Sequence, residues 1–214
     1  GGGGAYSRSV LAVTPGQIIP YSLGLGSSST ADGGDTWFDS PSTLMAKGGG
    51  SVDDNTSSGA AGGAASSGFG QVTYNGGNGA TGVNNNAGGG GSSAGTAANG
   101  NAGSGSTGGT APTGGGNGGN GSTTNANGTD GSTPGGGGGG ARRTSGTRDG
   151  GAGANGRVAI TPYTTPFWLK ADAGTSTTTN GAGVASWNDQ SGNANNGTSP
   201  TAGGTGFTAS TANP

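Results

Sequence analysis

The chain is 214 residues long, with 58 glycines, 26% hydrophobic residues and 7% charged ones. Seven Lys and Arg face nine Asp, with no Glu, His or Cys, for a net charge of −2. That excludes electrostatic capture of nucleic acid, and it removes thiol chemistry, the usual general bases and the commonest zinc ligands. No window approaches the ~20 apolar residues of a membrane-spanning helix, so no membrane insertion is expected.

In chain order, residues 6–13 are short, β-prone and partly alternating, Thr14-Pro15-Gly16 reads as a turn, and residues 17–23 run back. The pattern predicts an opening hairpin over about 5–25, with Pro20 at an edge or bulge because it cannot donate a ladder bond. Residues 32–38 read as a turn entering a strand, and 43–47 as another strand leading into 48–50, which puts β structure at 35–47. A further strand is expected at 71–74. From 75 to 153 the chain is almost wholly Gly, Asn, Ala, Ser and Thr, with neither helical nor alternating periodicity. β character returns at 156–161, expected as a last strand pairing back with the opening hairpin.

The glycine-rich stretch is not collagen. Gly falls at 114, 115, 116, 118, 119 and 121, with no triplet register, and the whole chain has 9 prolines. Two readings remain. One is a flexible Gly/Ser linker, which composition alone favours. The other is a set of left-handed helices of polyproline II geometry. Each would have three residues per turn and no internal hydrogen bonds, leaving its amides free to bond neighbouring helices. Glycine would then sit where backbones touch, and Asn, Ala, Ser and Thr would face outward. The uninterrupted run 135–140 is expected to be the most central helix.

Particular residues bear on the choice. Residues 1–17 (Gly1-Gly-Gly-Gly-Ala-Tyr-Ser-Arg), Tyr21-Ser-Leu-Gly-Leu-Gly26, Gly33-Gly-Asp-Thr-Trp-Phe38 and Leu44-Met-Ala-Lys-Gly-Gly-Gly50 resemble the glycine-rich domain of bacterial surface proteins and phage tail adhesins. Gly151-Ala-Gly-Ala-Asn-Gly-Arg-Val-Ala-Ile160 looks like its closing strand. The order of parts is also similar to the glycine-rich region of the anaplastic lymphoma kinase receptor family. The resemblance covers residues 1–162. It implies a small β-sandwich or hairpin base carrying a polyglycine II bundle at about 75–153. The Thr, Asn and Ser of 104–113 and 122–133 depart from such a bundle core, and these stretches are expected as loops between helices. Phe167-Trp-Leu-Lys-Ala-Asp-Ala-Gly174 and Val184-Ala-Ser-Trp-Asn-Asp-Gln-Ser-Gly-Asn-Ala-Asn-Asn196 resemble the start of a laminin-G-like or concanavalin-like jelly roll of secreted Bacteroidota proteins. That implies an incomplete lectin-like domain at 167–214 after a linker at 163–166. The expected class is therefore mostly β plus irregular structure, with almost no α-helix.

Candidate chemistry is sparse. Asp53 and Asp54, followed by Asn55, and Asp189 are candidates for a calcium site, though calcium needs six to eight oxygens from several segments. Asp32, Asp35 and Asp39 could join such a site, but turn chemistry explains Asp32 and Asp35 more simply. Asp189, Gln190, Asn193 and Asn196 form a candidate ligand-binding loop, for which an Asn-Gly-rich turn is the plainer account. Trp168 and Trp187 are expected to face a core, and Arg142, Arg143 and Arg148 to lie on a solvated loop. Asn55, Asn120, Asn127 and Asn196 meet the N-glycosylation pattern. No cofactor is expected. The chain, which opens without Met or a leader, reads as an internal piece of a longer exported protein. The resemblance implies a non-catalytic structural and adhesive module on a cell surface, linked to type IX secretion and to gliding or attachment. Its partners would be glycans, other surfaces, or further copies of the same protein. A phage tail-tip adhesin, an ice-binding protein and the accessory arm of a secreted glycosidase are the alternatives.

Overall fold

The computed structural model describes residues 1–14, 16–162, 173–176, 185–190 and 196–198. The chain divides into two units, 1–159 and 160–214. It is mostly non-helical with small antiparallel sheets. The one helical element among the described residues is a 3-10 turn, Ala65–Ser67.

The first unit has five short strands. β1 (Tyr6–Arg8) pairs antiparallel with β5 (Val72–Tyr74), placing Tyr6 opposite Tyr74 with ring centroids 6.2 Å apart. β2 (Tyr21–Ser22), β3 (Thr36–Phe38) and β4 (Leu44–Ala46) form a second antiparallel sheet in that order. The Ser7 hydroxyl donates to the Met45 carbonyl at 2.6 Å, and Met45 bridges to Phe69. The β-prone runs within 35–47 and 71–74 thus hold β3, β4 and β5.

The opening hairpin does not form. Its turn does, with the Gln17 N–H donating to the Thr14 carbonyl at 3.1 Å and Gly16 at φ +83°; Pro15 lies outside the described residues. The two runs then part company. β5 offers β1 a tyrosine for its tyrosine. Just before β5 stands Gln71, whose N–H donates to Ser9 Oγ at 3.1 Å and whose Oε1 accepts from the Val10 N–H at 3.1 Å. These side chains close the ladder after Arg8. The returning run has Pro20 where a ladder donor would be needed. Residues 9–20 are left as an excursion, with Val10, Val13 and Ile18 exposed.

The expected last strand at 156–161 is also absent. Gly153 and Gly156 donate to the Ser27 and Gly24 carbonyls, both at 2.8 Å. Partners three residues apart face the same neighbour, whereas a strand would present every second residue.

That three-residue step recurs throughout the glycine-rich runs. Gly91 and Ala94 donate to Gly1 and Gly4, Gly90 and Ser93 to Gly119 and Gly116, and Gly137 and Gly140 to Gly91 and Gly88, all at 2.8–2.9 Å. Run 88–95 is bordered by segments 1–4, 77–80, 101–103, 105–109, 116–122 and 137–140. Among the described residues 89–95 form the longest buried stretch, while 136–139 are buried within the run expected to be most central. Three inner runs bond in a cycle: Gly4 N–H to Gly135, Gly137 N–H to Gly91, and Gly91 N–H to Gly1.

The interior is therefore backbone. Among the described residues the only buried hydrophobic side chains are Ala60 and Ala94, and the most buried side chain is Ser92. Ser92 Oγ accepts from the Asn101 N–H at 2.8 Å. Ser93 Oγ donates to the Pro134 carbonyl at 2.6 Å and accepts from the Gly116 N–H at 2.8 Å. Both hydroxyls are satisfied, as burial demands. A Cβ on Gly3 would lie 1.9 Å from the Ser92 carbonyl oxygen, and one on Gly91 2.0 Å from that of Gly77. Neither has the left-handed φ that usually selects glycine. Close approach, not backbone freedom, demands glycine here.

In the second unit β6 (Ser186–Trp187) pairs with β7 (Gly197–Thr198), and Trp187 bridges to Thr175. Most of the expected jelly roll, the linker at 163–166 and Trp168 lie outside the described residues.

Candidate functional site

The most regular side-chain feature is a two-bond clasp built on Asx-Gly. At Asn75-Gly76, Asn75 Oδ1 accepts from the Ala65 N–H at 2.7 Å while the Gly76 N–H donates to the Gly63 carbonyl at 2.9 Å. At Asn117-Gly118 the partners are the Ala111 N–H at 2.7 Å and the Gly109 carbonyl at 2.9 Å. Asn127-Gly128 grips one residue, accepting from the Asp149 N–H and donating to its carbonyl, both at 3.1 Å. Asn78-Gly79, Asn99-Gly100, Asn120-Gly121 and Asn155-Gly156 repeat the pattern. Asp32-Gly33 and Asp130-Gly131 do so with a carboxylate.

Each clasp separates two roles. The Asx side chain secures the neighbouring segment at the rim, and the glycine, at every clasp but Asp32-Gly33, packs too closely on a neighbour to carry a Cβ. A Cβ on Gly76, Gly118 or Gly131 would meet the carbonyl oxygen of Gly3, Gly90 or Gly136 at 1.9, 2.1 and 2.0 Å. Sequence reasoning expected the Asn residues of these runs to face outward, as they do, but not that each Asx side chain and the following glycine bond a neighbouring segment. The signal was the spacing: Asn-Gly-Gly-Asn at 75–78 and 117–120, and Asn-Gly-Thr-Asp at 127–130, repeat Asx every third residue.

The acidic candidates are placed as follows. Asp35 accepts from the Gly48 N–H at 2.9 Å and pairs with Lys47 at 3.1 Å, and Asp32 accepts from the Ser51 N–H at 2.7 Å. Both hold the 32–35 turn to the 47–51 run. Asp53 and Asp54 are exposed in a turn beside Asn55, whose Oδ1 accepts from Arg143 at 3.0 Å. Asp39 sits at φ +68°. Among the described residues no three such groups converge on a point where a metal ion could sit. The arginines do not simply face solvent. Arg148 Nε donates to the Asn125 carbonyl at 3.0 Å, and Arg142 Nη1 donates to that of Thr123. They tie the 141–149 loop to the 123–127 loop.

In the second unit Asp189 is buried, and its N–H donates to Asn196 Oδ1 at 2.9 Å; Gln190 Nε2 donates to the Asn188 carbonyl at 2.9 Å. Asp189 and Asn196 are thus brought together and Gln190 adjoins Asp189 in sequence, while Asn193 lies outside the described residues. Trp187 is half-buried, its indole N–H donating to the Ala173 carbonyl at 3.2 Å.

The first unit also carries an apolar surface that sequence reasoning did not single out. Val10, Val13, Ile18, Tyr21, Leu23 and Leu25 are exposed, Ile18 at 94%. Tyr21, Leu23 and Leu25 alternate with the less exposed Ser22 and Gly24, and no charged residue occurs between Arg8 and Asp32. The signal was the placing of large apolar residues in a chain that has almost no apolar core.

No protein family, curated protein or solved structure matches the chain. Among the described residues no helix is long and apolar enough to cross a membrane.

Proposed function

We propose that residues 1–159 are a polyglycine II bundle on a small β base, acting as a stiff non-catalytic spacer in a secreted cell-surface protein. The observation that carries this reading is the three-residue step of hydrogen-bond partners between glycine-rich runs, the period of a helix with three residues per turn. A flexible linker has no fixed partners, and its amides bond only water. Stiffness follows from cross-bonding, since each inner run is held by several others. The exposed apolar residues Val10, Val13, Ile18, Tyr21, Leu23 and Leu25, in a stretch of sequence without charge, supply an adhesive surface suited to neutral surfaces, glycans among them. Repeated weak contacts by many copies would give retention without high affinity at any one. Gln190 and Asn196, beside the buried Asp189, offer a second polar contact point in the following unit.

Amide hydrogen exchange tests the spacer. Exchange at Gly89, Gly90, Gly91, Gly137 and Gly139 is expected to be slowed about 100-fold or more relative to an unstructured chain. Random-coil rates at these glycines would restore the linker.

A further inference from the structure

Asn-Gly is the dipeptide at which a backbone amide most readily attacks the preceding carboxamide, because glycine has no Cβ to obstruct its nitrogen. The Gly nitrogen bonds to Asn Cγ, its proton passes to solvent, and ammonia leaves, giving a succinimide. Water then opens the ring. Attack at Cγ yields Asp, while attack at the main-chain carbonyl carbon yields isoaspartate, whose backbone runs through the side chain.

Of the nine clasps two are built on Asp, leaving seven Asn-Gly pairs. In each, both reacting groups are engaged elsewhere. The Gly118 N–H is committed to the Gly109 carbonyl, and Asn117 Oδ1 is held by the Ala111 N–H. Asn120-Gly121 is tied the same way to Ser106 and Gly108. The nitrogen cannot turn to Cγ, nor Cγ swing to the nitrogen, without breaking a bond to a neighbouring run.

We propose that the clasped Asn-Gly pairs are latent modification sites, unreactive while the runs are packed and released to form succinimide when they separate. The proposal rests on the packed-run reading. The two products differ in consequence. Asp is compatible with closure, because Asp32 and Asp130 already form clasps. Isoaspartate lengthens the backbone and displaces every later residue from the three-residue step. Prolonged opening is thereby fixed covalently, and the runs do not close again.

The test is to age the whole chain in mildly alkaline buffer, with and without concentrated urea. Peptide mapping by mass spectrometry follows the mass gained when NH2 becomes OH, and chromatography separates Asp from isoaspartate. Reaction at the seven sites is expected to be slower by about tenfold or more in the native sample, where opening must precede attack. After urea is removed, aged chains should recover less amide protection than freshly unfolded ones. Equal rates in both samples, alongside slow amide exchange in the native one, would overturn this proposal and leave the packed runs standing. Equal rates with fast exchange would remove both. Full recovery of protection by isoaspartate-bearing chains would overturn the claim that opening becomes permanent.

Discussion

Gly91 stands where four runs meet. Its N–H donates to Gly1, its carbonyl accepts from Gly137, and the space a Cβ would need is taken by the Gly77 carbonyl. Gly105 is the opposite case, with a left-handed φ of +53° and open space around the missing Cβ. Gly91→Ala is expected to cost ~3 kcal/mol or more, because rigid backbone rather than a movable side chain must give way. Gly105→Ala should cost about 1 kcal/mol, the ordinary penalty for a left-handed alanine. Denaturant midpoints of the two variants check this. Equal costs would mean that φ, not approach, sets the need for glycine.

At the level of elements, the sequence showed where extended backbone would lie but not what it would pair with. The runs holding β3, β4 and β5 were legible because β-prone residues end at turn residues or glycine. The partner of β1 was not legible, since proximity in sequence favoured residues 17–23 while the Tyr6–Tyr74 pair and the Gln71 closure span 61 residues or more. The clasps were hidden for a related reason. Asn-Gly carries a strong local meaning as a turn, and only its three-residue spacing carries the non-local one. The excursion at 9–20 is bonded to the rest of the unit mainly through its ends. Ile18→Ser is therefore expected to change unfolding free energy by no more than about 0.5 kcal/mol. On the adhesive reading the same variant should be retained less on a neutral, glycan-coated sensor surface. Unchanged retention would remove residues 9–20 from the adhesive surface.

For the first unit as a whole, the notable fact is where its opening residues lie. The Gly1 amino group donates to the Gly138 carbonyl at 2.7 Å, and burial holds its pKa below the ordinary value of 8.0. In a chain whose amino terminus is Gly1, the unfolded state therefore binds more protons than the folded one between the lowered value and 8.0. Stability is greatest above 8.0 and falls as pH drops from there to the lowered pKa, below which both states are protonated and the loss is complete. In a chain starting at Gly1, the denaturant midpoint should rise on going from neutral to mildly alkaline pH. Acetylating the amino group should flatten that rise. A flat profile in the unmodified chain would place the amine in water.

The cycle joining runs 1–4, 88–91 and 135–138 also fixes an order of assembly. Its first member is made first, yet one of its two partners is among the last segments of the unit to be synthesised. A nascent chain that has not reached Gly135 leaves the Gly4 N–H without its native acceptor, however much of the intervening sequence is available. A repeat solenoid can grow by stacking each unit on the one before it. This unit cannot, because its middle is closed by its two ends. Synthesis of run 135–138, rather than growth up to it, is the event that lets the unit set.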